Sequence, residues 1–215
     1  MTYPQVIEEF VTLDRIIAGY SIARFGDGEF KLARGGDCVS QKPDPNLALE
    51  LKAILHSNQK NLLVGIPNMS KHGAKYDRWK KYIPSYARLL EPSKTYYSSF
   101  ITRPDSAQWC FDELYWDKMR SLWEGHDVCL VRGSDRSLSP TNMDGTKSLT
   151  EITTPYRDAY AEIDRIEKEI IATGIKRVIL CCGATATCLA ARLADRGHQQ
   201  GIDLGHVGMF IGRLK

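Results

Sequence analysis

Two carboxylates stand two residues apart in the segment RFGDGEF at positions 24–30. Asp27 and Glu29 alternate with Gly26 and Gly28, which let the backbone turn sharply after a short β-prone run. Mn²⁺ and Mg²⁺ prefer carboxylate oxygens and commonly share their remaining positions with substrate phosphates. The spacing therefore favours a clamp for a metal-bound diphosphate. A tight turn is the alternative, because Asp-Gly is a favoured hairpin dipeptide.

A second candidate site lies where an apolar run ends in small residues, in the segment LCCGATAT at positions 180–187. The pattern predicts a strand that passes through a short loop into a helix. N–H groups at a helix start can bind phosphate, here at Gly183, and Thr185 or Thr187 can add a hydroxyl. The segment matches neither the Walker A loop nor GxGxxG. Close packing between strand and helix explains the small residues equally well.

Two further groups suit an anionic or polar substrate. His206 ends the segment DLGH and can contact a phosphate or transfer a proton, with a purely structural histidine as the alternative. A basic and aromatic stretch at positions 71–82 can face an acceptor, with a solvated helix face as the alternative.

The elements that must position these residues alternate between strand and helix. Periodic apolar residues predict helices at 5–19, 46–57, 159–174 and 184–197, and the stretch 75–90 is predicted to be helical around a break at Pro84. β-prone runs predict strands near 20–25, 61–67, 95–104, 127–133, 176–183 and 201–211. This order predicts an α/β domain with a largely parallel sheet and helices on both faces.

The stretch from 134 to 150 interrupts this alternation. It is rich in Ser, Thr, Asn, Asp, Gly and Pro and offers few apolar anchors, so we expect it to be irregular and to open at little cost. It carries Arg136, which a diphosphate can draw inward by a charge-assisted hydrogen bond. We expect the stretch to close over a bound substrate as a lid, with a packed surface loop as the alternative.

Composition limits the classes of protein that fit. The 215 residues suffice for one sizeable core, and we expect a single domain over 1–215. Basic residues exceed acidic ones by only 29 to 26, which does not indicate a nucleic-acid-binding protein. No apolar run is long enough for a transmembrane helix, and the first ten residues do not form a signal peptide. With six cysteines and no CxxC pair, we expect a cytoplasmic protein with reduced thiols.

Taken in order, these motifs resemble the GT-D glycosyltransferase family, long catalogued as a domain of unknown function. The resemblance covers nearly the whole chain. It runs through the segments SIARFGDGEF, YSSFITRP, VRGSDRS, ITTPYRDAY and CCGATATCLAARLADRGHQQGIDLGH.

The resemblance implies a Rossmann-like fold of the GT-D type that binds a nucleotide-sugar together with Mn²⁺ or Mg²⁺. By the same resemblance, the nucleotide-sugar would be a UDP-sugar. Asp27 and Glu29 would then be the catalytic and metal residues, with Arg24, Gly26 and Gly28 around the diphosphate. The other substrate-binding residues implied by position are Arg103, Arg136, Gly183, Thr185 and His206. We expect a saccharide or glycoprotein acceptor, and modified DNA is disfavoured because the net charge is only +3.

The chain also departs from the family pattern. The glycine- and asparagine-rich loop of the family is SLSPTNMDGTKS here, and Pro-x-x-Asn-Ala becomes Pro-Tyr-Arg-Asp-Ala with Asp158. Gly-Pro-Thr-Ala becomes Gly183-Ala-Thr-Ala, and Gly208 stands where an acidic residue often follows Gly-His. These changes spare the two carboxylates and affect the surroundings of donor and acceptor.

Two other classes remain open from the sequence. A non-catalytic module that binds nucleotide-sugars would carry the same motifs. A methyltransferase that uses S-adenosylmethionine would also place a glycine-rich acidic loop after its first strand, but it needs a second acidic strand end that this sequence does not show.

Overall fold

The computed structural model describes residues 2–69, 79–105, 113–133 and 137–211. Within these ranges eight strands form one sheet whose order is β1-β4-β3-β2-β8-β7-β5-β6, and all neighbours pair in parallel. The strands are β1 (Val6–Ile7), β2 (Ser21–Arg24), β3 (Leu62–Ile66), β4 (Tyr96–Ser98), β5 (Asp127–Arg132), β6 (Ser148–Thr153), β7 (Arg177–Cys181) and β8 (Gln200–Asp203).

Helices connect the strands, as parallel pairing requires. The described helices are α1 (Glu9–Ile17), α2 (Asp27–Ala33), α3 (Pro45–Leu55), α4 (Ile83–Ala87), α5 (Glu113–Arg120), α6 (Ile163–Thr173), α7 (Ala184–Arg196) and α8 (Gly208–Ile211). None of them combines the length and the apolar character that a membrane crossing needs.

The two faces of the sheet carry separate apolar cores. Because side chains alternate along a strand, Ala23 and Val64 face one core while Ile22 and Leu63 face the other. Helices α2, α3, α4, α6 and α7 pack into the first core, and α1 and α5 pack into the second. The prediction of a largely parallel sheet covered on both faces is confirmed.

The strand order divides the sheet into two halves that meet at one pair. Strands β1 to β4 form one half and β5 to β8 the other, and they join where β2 pairs with β8, with Ile22 opposite Ile202. Ligands of open parallel sheets bind outside the carboxyl ends of the strands. The segments that follow β2 and β8 are therefore brought together at the edge where a ligand is expected.

Several predicted elements need correction. The stretch at 134–150 does have apolar anchors, since Leu138 and Met143 are buried, and strand β6 already begins at Ser148. The break predicted at Pro84 agrees with the described residues, because α4 begins at Ile83 directly after a 3-10 helix at Lys80–Tyr82, and proline fits the first turn of a helix. The last strand ends at Asp203, well before position 211. Strand β6 and helices α2 and α5 were not predicted, strand β1 lies within the predicted helix 5–19, and helix α8 lies within the predicted strand 201–211.

Candidate active site

Asp27 and Glu29 lie in the first turn of α2, directly after β2. Gly26 is the N-cap residue, and the chain enters a helix instead of returning in a hairpin. The turn interpretation of Asp-Gly is therefore wrong. Asp27 is exposed at the helix start, where the positive end of the helix dipole favours a negative charge.

Glu29 turns back onto the helix start. Its Oε2 accepts a hydrogen bond from the Gly26 N–H at 2.8 Å, the backward half of a capping box. Burial raises the pKa of the Glu29 carboxyl, and the nearby charge of Asp203 raises it further, against the opposing effect of backbone N–H groups and of Arg24. One oxygen of Glu29 is thus committed to the helix, and only the other is available to a ligand.

Arg24 forms an ion pair with Asp203 beneath these carboxylates. Nη2 of Arg24 lies 3.0 Å from Oδ1 of Asp203, and the side chains are only 13% and 3% exposed. The Arg24 Nε donates to the Asp203 carbonyl at 2.7 Å, and the Arg24 backbone N–H donates to Oδ2 at 3.2 Å. The pair ties the end of β2 to the end of β8.

The remaining donors of the Arg24 guanidinium reach the segment after β4, which lies two strands away from β2 in the sheet. Its Nη1 donates to the Ser99 carbonyl at 3.3 Å and to the Thr102 hydroxyl, both just after β4. Gly205 has a φ of +49°, and a Cβ there would lie 2.1 Å from Nη2 of Arg24, so no other residue fits this turn. Arg24 was predicted to contact substrate, yet most of its hydrogen-bonding capacity holds the site together.

Arg103 stands on the far side of the same cleft. It makes two hydrogen bonds to Asp105, at 2.8 and 3.0 Å, and its guanidinium lies 5.8 Å from the ring centroid of Trp79. The hydrogen bonds to Asp105 raise the pKa of Arg103, and the charge of Asp27 also contributes. Arg103 is held in place as a fixed positive charge within reach of the field of Asp27.

These groups line one cleft of about 530 Å³ at the carboxyl ends of the strands. Of the residues predicted for the site, the cleft brings together Arg24, Gly26, Asp27, Gly28, Glu29, Arg103, Gly183 and His206. His206 is exposed there, on the turn after β8.

Two predicted residues do not join them. Thr185 is 1% exposed and lies behind the start of α7, outside the cleft lining, and its hydroxyl has no hydrogen-bond partner among the described residues. The structure therefore does not bring Thr185 to the cleft, and its contact with substrate stays a prediction. Arg136 lies outside the described residues, so its part in a lid stays a prediction.

Sequence reasoning missed other residues of the site. Asp203 was noted only as the start of DLGH, although it accepts bonds from Arg24, from the Gly205 N–H at 3.1 Å and from the Thr187 hydroxyl at 3.3 Å. An acidic residue ending an apolar strand was the available signal. The cleft is also lined by Cys38, Val39 and Ser40, which no motif indicated.

Gly208, the departure from the family's acidic residue, has a steric cause. A Cβ at this position would lie 2.6 Å from the Ser137 carbonyl oxygen. The segment at Ser137 is held in place by a hydrogen bond from its hydroxyl to the Cys181 carbonyl at 2.9 Å. In this chain the loop after β5 therefore occupies the space that a side chain at 208 would need.

The charges of the cleft suit a cation with oxygen ligands. Its described lining holds two arginines, both ion-paired, against the four carboxylates of Asp27, Glu29, Asp105 and Asp203. No group of three or more His, Cys, Asp or Glu side chains among the described residues forms a closed metal cage. The donor set fits a hard divalent cation that one or two carboxylates hold and substrate phosphates complete.

Comparison with known proteins places this site in context. The model of the glycosyltransferase GT-D fold family matches residues 22–209. The chain is 29% identical to glycosyltransferase GlyD of Streptococcus pneumoniae serotype 4, over 91% of this chain and 26% of the relative. It is also 29% identical to the probable glycosyl transferase Gly of Streptococcus gordonii, over 88% of this chain and 30% of the relative. The chain thus spans less than a third of the length of these relatives.

Solved structures agree with the sequence comparisons. One is a glycosyltransferase from Streptococcus sanguinis that belongs to domain of unknown function 1792, with 25% identity and a TM-score of 0.83 over 96% of this chain and 82% of that one. Another represents the same domain, described as a distinct glycosyltransferase fold, with 28% identity and a TM-score of 0.85 over 95% and 79%.

Proposed function

The chain belongs to the glycosyltransferase GT-D fold family, as its motifs predict, and from this membership we propose that it transfers a sugar from a UDP-sugar to a hydroxyl acceptor. We propose that Mn²⁺ or Mg²⁺ assists the reaction at Asp27. The curated relatives are named glycosyltransferases, which supports the activity. The UDP-sugar donor rests on the family resemblance, and the metal rests on the charges of the cleft.

The observation that carries the proposal is the charge of the cleft around Asp27. A diphosphate brings negative charge to a lining where four carboxylates face two arginines that are already paired. Like charges at such close quarters disfavour binding unless a cation intervenes. A divalent cation on the exposed carboxylate of Asp27 would offset the excess of two carboxylates over arginines in the lining and let a diphosphate bind.

Different residues of the cleft would then have different roles in the reaction. Asp27 would hold the cation, which when bound stabilises the negative charge that grows on the leaving diphosphate. Arg103, fixed by Asp105 and Trp79, would place a positive charge beside the same phosphates. The N-terminal ends of α2 and α7 meet the cleft at Gly26 and Gly183, so both helix dipoles favour an anion there.

We propose a different part for each carboxylate of the Asp-x-Glu pair. Asp27 is exposed and is the primary ligand. Glu29 holds the first turn of α2 through the Gly26 N–H, and only its second oxygen can reach the cation. Arg24 and Asp203 act beneath them as positioning residues that fix the ends of β2 and β8.

For the acceptor we propose a hydroxyl of a saccharide or glycoprotein. A modified base in DNA is disfavoured, since the described cleft lining is acidic and the net charge of the chain is only +3. A cytoplasmic location is likewise a proposal.

The test is a screen of nucleotide-sugars with the purified protein and Mn²⁺, followed by release of free nucleoside diphosphate in the absence of acceptor. We expect slow hydrolysis of at least one UDP-sugar and no turnover in EDTA. Binding of UDP without hydrolysis of any donor, with or without candidate acceptors, would indicate a non-catalytic binding module. Stabilisation by S-adenosylmethionine and not by UDP would point to a methyltransferase and contradict the proposal.

A further inference from the structure

A tight hairpin at residues 38–42, the Cys38–Lys42 hairpin, forms one wall of the cleft. The Cys38 N–H donates to the Gln41 carbonyl at 3.0 Å, and the Gln41 N–H donates back to the Cys38 carbonyl at 3.2 Å. Val39 and Ser40 are therefore the two residues at its tip. Val39 is an apolar side chain that is 78% exposed, and it lines the cleft.

The hairpin bridges the two helix starts that face the cleft. A methyl group added to Gly28, between the two carboxylates, would lie 3.7 Å from Cβ of Cys38. A methyl group added to Gly183, at the start of α7, would lie 3.3 Å from Oγ of Ser40. A ligand that lies between Asp27 and Gly183 would therefore lie beside the tip of the hairpin.

The segment before α6 anchors this hairpin. The Asp158 N–H donates to the Ser40 carbonyl at 2.9 Å, and the Asp158 carboxylate accepts the Lys42 N–H at 2.7 Å. Nε of Arg157 donates to the Val39 carbonyl at 2.9 Å. Among the described residues, Asp158 is the one non-glycine residue with a positive φ, +58°, and Asp and Asn tolerate this conformation best. Such strain persists where the surroundings hold a loop in a required position.

The opposite end of the cleft has a different character. Pro67 follows β3, Phe100 follows β4, and Trp79 packs against Phe100 with ring centroids 5.1 Å apart. Strands β4 and β7 are four neighbours apart in the sheet, a span of roughly 19 Å at about 4.8 Å per strand. Asp27 follows β2, which lies between these two ends.

From this arrangement, and resting on the proposed function, we infer that the donor lies across the carboxyl ends with its base toward Trp79 and Phe100 and its sugar against Val39. The Cys38–Lys42 hairpin is then the element that selects the donor sugar. Asp158 is a positioning residue for it and has no direct contact with the donor.

Chemistry supports this direction of binding. Trp79 and Phe100 are only 6% and 4% exposed, so a base would lie against the apolar surface that they form with Pro67 and would not stack on a free ring face. Such an apolar surface favours the flat base over the polar sugar. Val39 offers bulk and no hydrogen-bonding group, so it discriminates by the size of the sugar substituent that faces it. Adding or removing one or two methyl groups at such a position typically changes the ratio of kcat/KM for two substrates by about 10-fold to 200-fold.

The first experiment compares Val39→Ala and Val39→Phe with the wild type on UDP-glucose and UDP-N-acetylglucosamine, which differ in the bulk of one substituent. We expect the ratio of the two kcat/KM values to shift by about tenfold and in opposite directions for the two variants. UDP affinity in Mn²⁺ should stay unchanged. Val11→Ala, the same change at an exposed valine on α1, is the matched control and should leave the ratio unaltered.

The second experiment addresses Asp158. Asp158→Ala removes the acceptor of the Lys42 N–H and disfavours the positive φ, so it should shift the sugar ratio toward that of Val39→Ala. Asp158→Asn keeps a side-chain oxygen and the same backbone preference, so it should restore the wild-type ratio. A ratio that moves equally in both variants would contradict the positioning role.

The closing experiment measures alkylation of Cys38 by mass spectrometry of its peptide. With Mn²⁺, a UDP-sugar should slow the reaction more than UDP does, because only the sugar covers the hairpin. Equal protection by UDP alone, or an unchanged ratio in both Val39 variants, would overturn the inferred orientation while the proposed function stands. Absence of both binding and protection for every donor would instead overturn the proposed function, and the inference with it.

Discussion

The two edges of the sheet carry grooves of similar size and opposite character. At the amino ends of the strands a groove of about 730 Å³ is lined by Lys176, Arg177, His126 and His198, with Asp127 as its one acidic side chain among the described lining. At the carboxyl ends, the smaller cleft of about 530 Å³ is lined by four carboxylates and two ion-paired arginines. Size alone would favour the amino edge.

The difference shows why charge and helix direction matter more than volume. Helices that connect parallel strands bring their C-terminal ends to the amino edge, where the ends of α1, α6 and α7 meet the groove at Gly19, Gly174 and Gly197. Their carbonyl groups disfavour an anion there. A free diphosphate would nevertheless meet basic side chains at that edge, whereas a diphosphate with a divalent cation is matched by the carboxyl edge. Which of the two edges binds the diphosphate therefore tests whether binding depends on a metal.

The largest expected effect concerns the buried ion pair of Arg24 and Asp203 at the carboxyl edge. Asp203→Ala leaves Arg24 buried without its partner, so the free energy of unfolding should fall by about 3–5 kcal/mol, as measured by urea denaturation. Asp127→Ala at the amino edge removes an exposed partner of Lys147 and should barely change the unfolding midpoint. Similar losses in the two variants would contradict the contrast drawn between the edges.

The next largest effect should be a loss of turnover that depends on the carboxyl edge and not on the amino edge. Asp27→Asn keeps the size of the side chain and removes the charge that would hold a cation, so turnover of a UDP-sugar in Mn²⁺ should fall by about 10²–10³-fold. Lys176→Ala, an exposed charge at the other edge, is the matched control and should leave turnover unchanged. Loss of turnover in Lys176→Ala with unchanged turnover in Asp27→Asn would contradict the assignment of the site to the carboxyl edge.

A smaller effect should appear in the pH dependence of stability. Because the folded-state pKa of Glu29 is raised, its contribution is fully present below the ordinary value of 4.5 and is lost as pH rises through the raised pKa. Glu29→Gln keeps an acceptor for the Gly26 N–H without this charge. In EDTA, the stability of the variant relative to wild type should therefore increase from pH 4 toward neutrality. A difference that is constant across this range would show that burial does not penalise the Glu29 charge.

The parts of the site that depend on local sequence were predictable. Small residues after an apolar run predicted the start of α7, and the Asp-x-Glu spacing after a β-prone run predicted the pair of carboxylates, although not the helix α2 that carries them. The pairing of Arg24 with Asp203 was not predictable, because the two residues are 179 positions apart and meet only through the β2–β8 contact. No local pattern states which strands become neighbours.

Two loops show the same limit in different ways. The Cys38–Lys42 hairpin carries no motif, and its place in the cleft depends on Asp158, more than a hundred residues later. The stretch after β5 was predicted to have few apolar anchors because its composition is polar. Leu138 and Met143 are nevertheless buried, since two apolar side chains suffice when a core lies beneath them. Composition averages over a segment and conceals such individual contacts.

The central claim is that UDP binds at the carboxyl edge through a divalent cation on Asp27. The direct measurement is isothermal titration calorimetry of UDP into the wild-type protein with Mn²⁺ and with EDTA, repeated for Asp27→Asn with Mn²⁺. The account predicts binding for the wild type in Mn²⁺ alone, and none in EDTA or in the variant. Binding of equal strength in all three titrations would show that the diphosphate does not need the cation or Asp27, and would contradict the account.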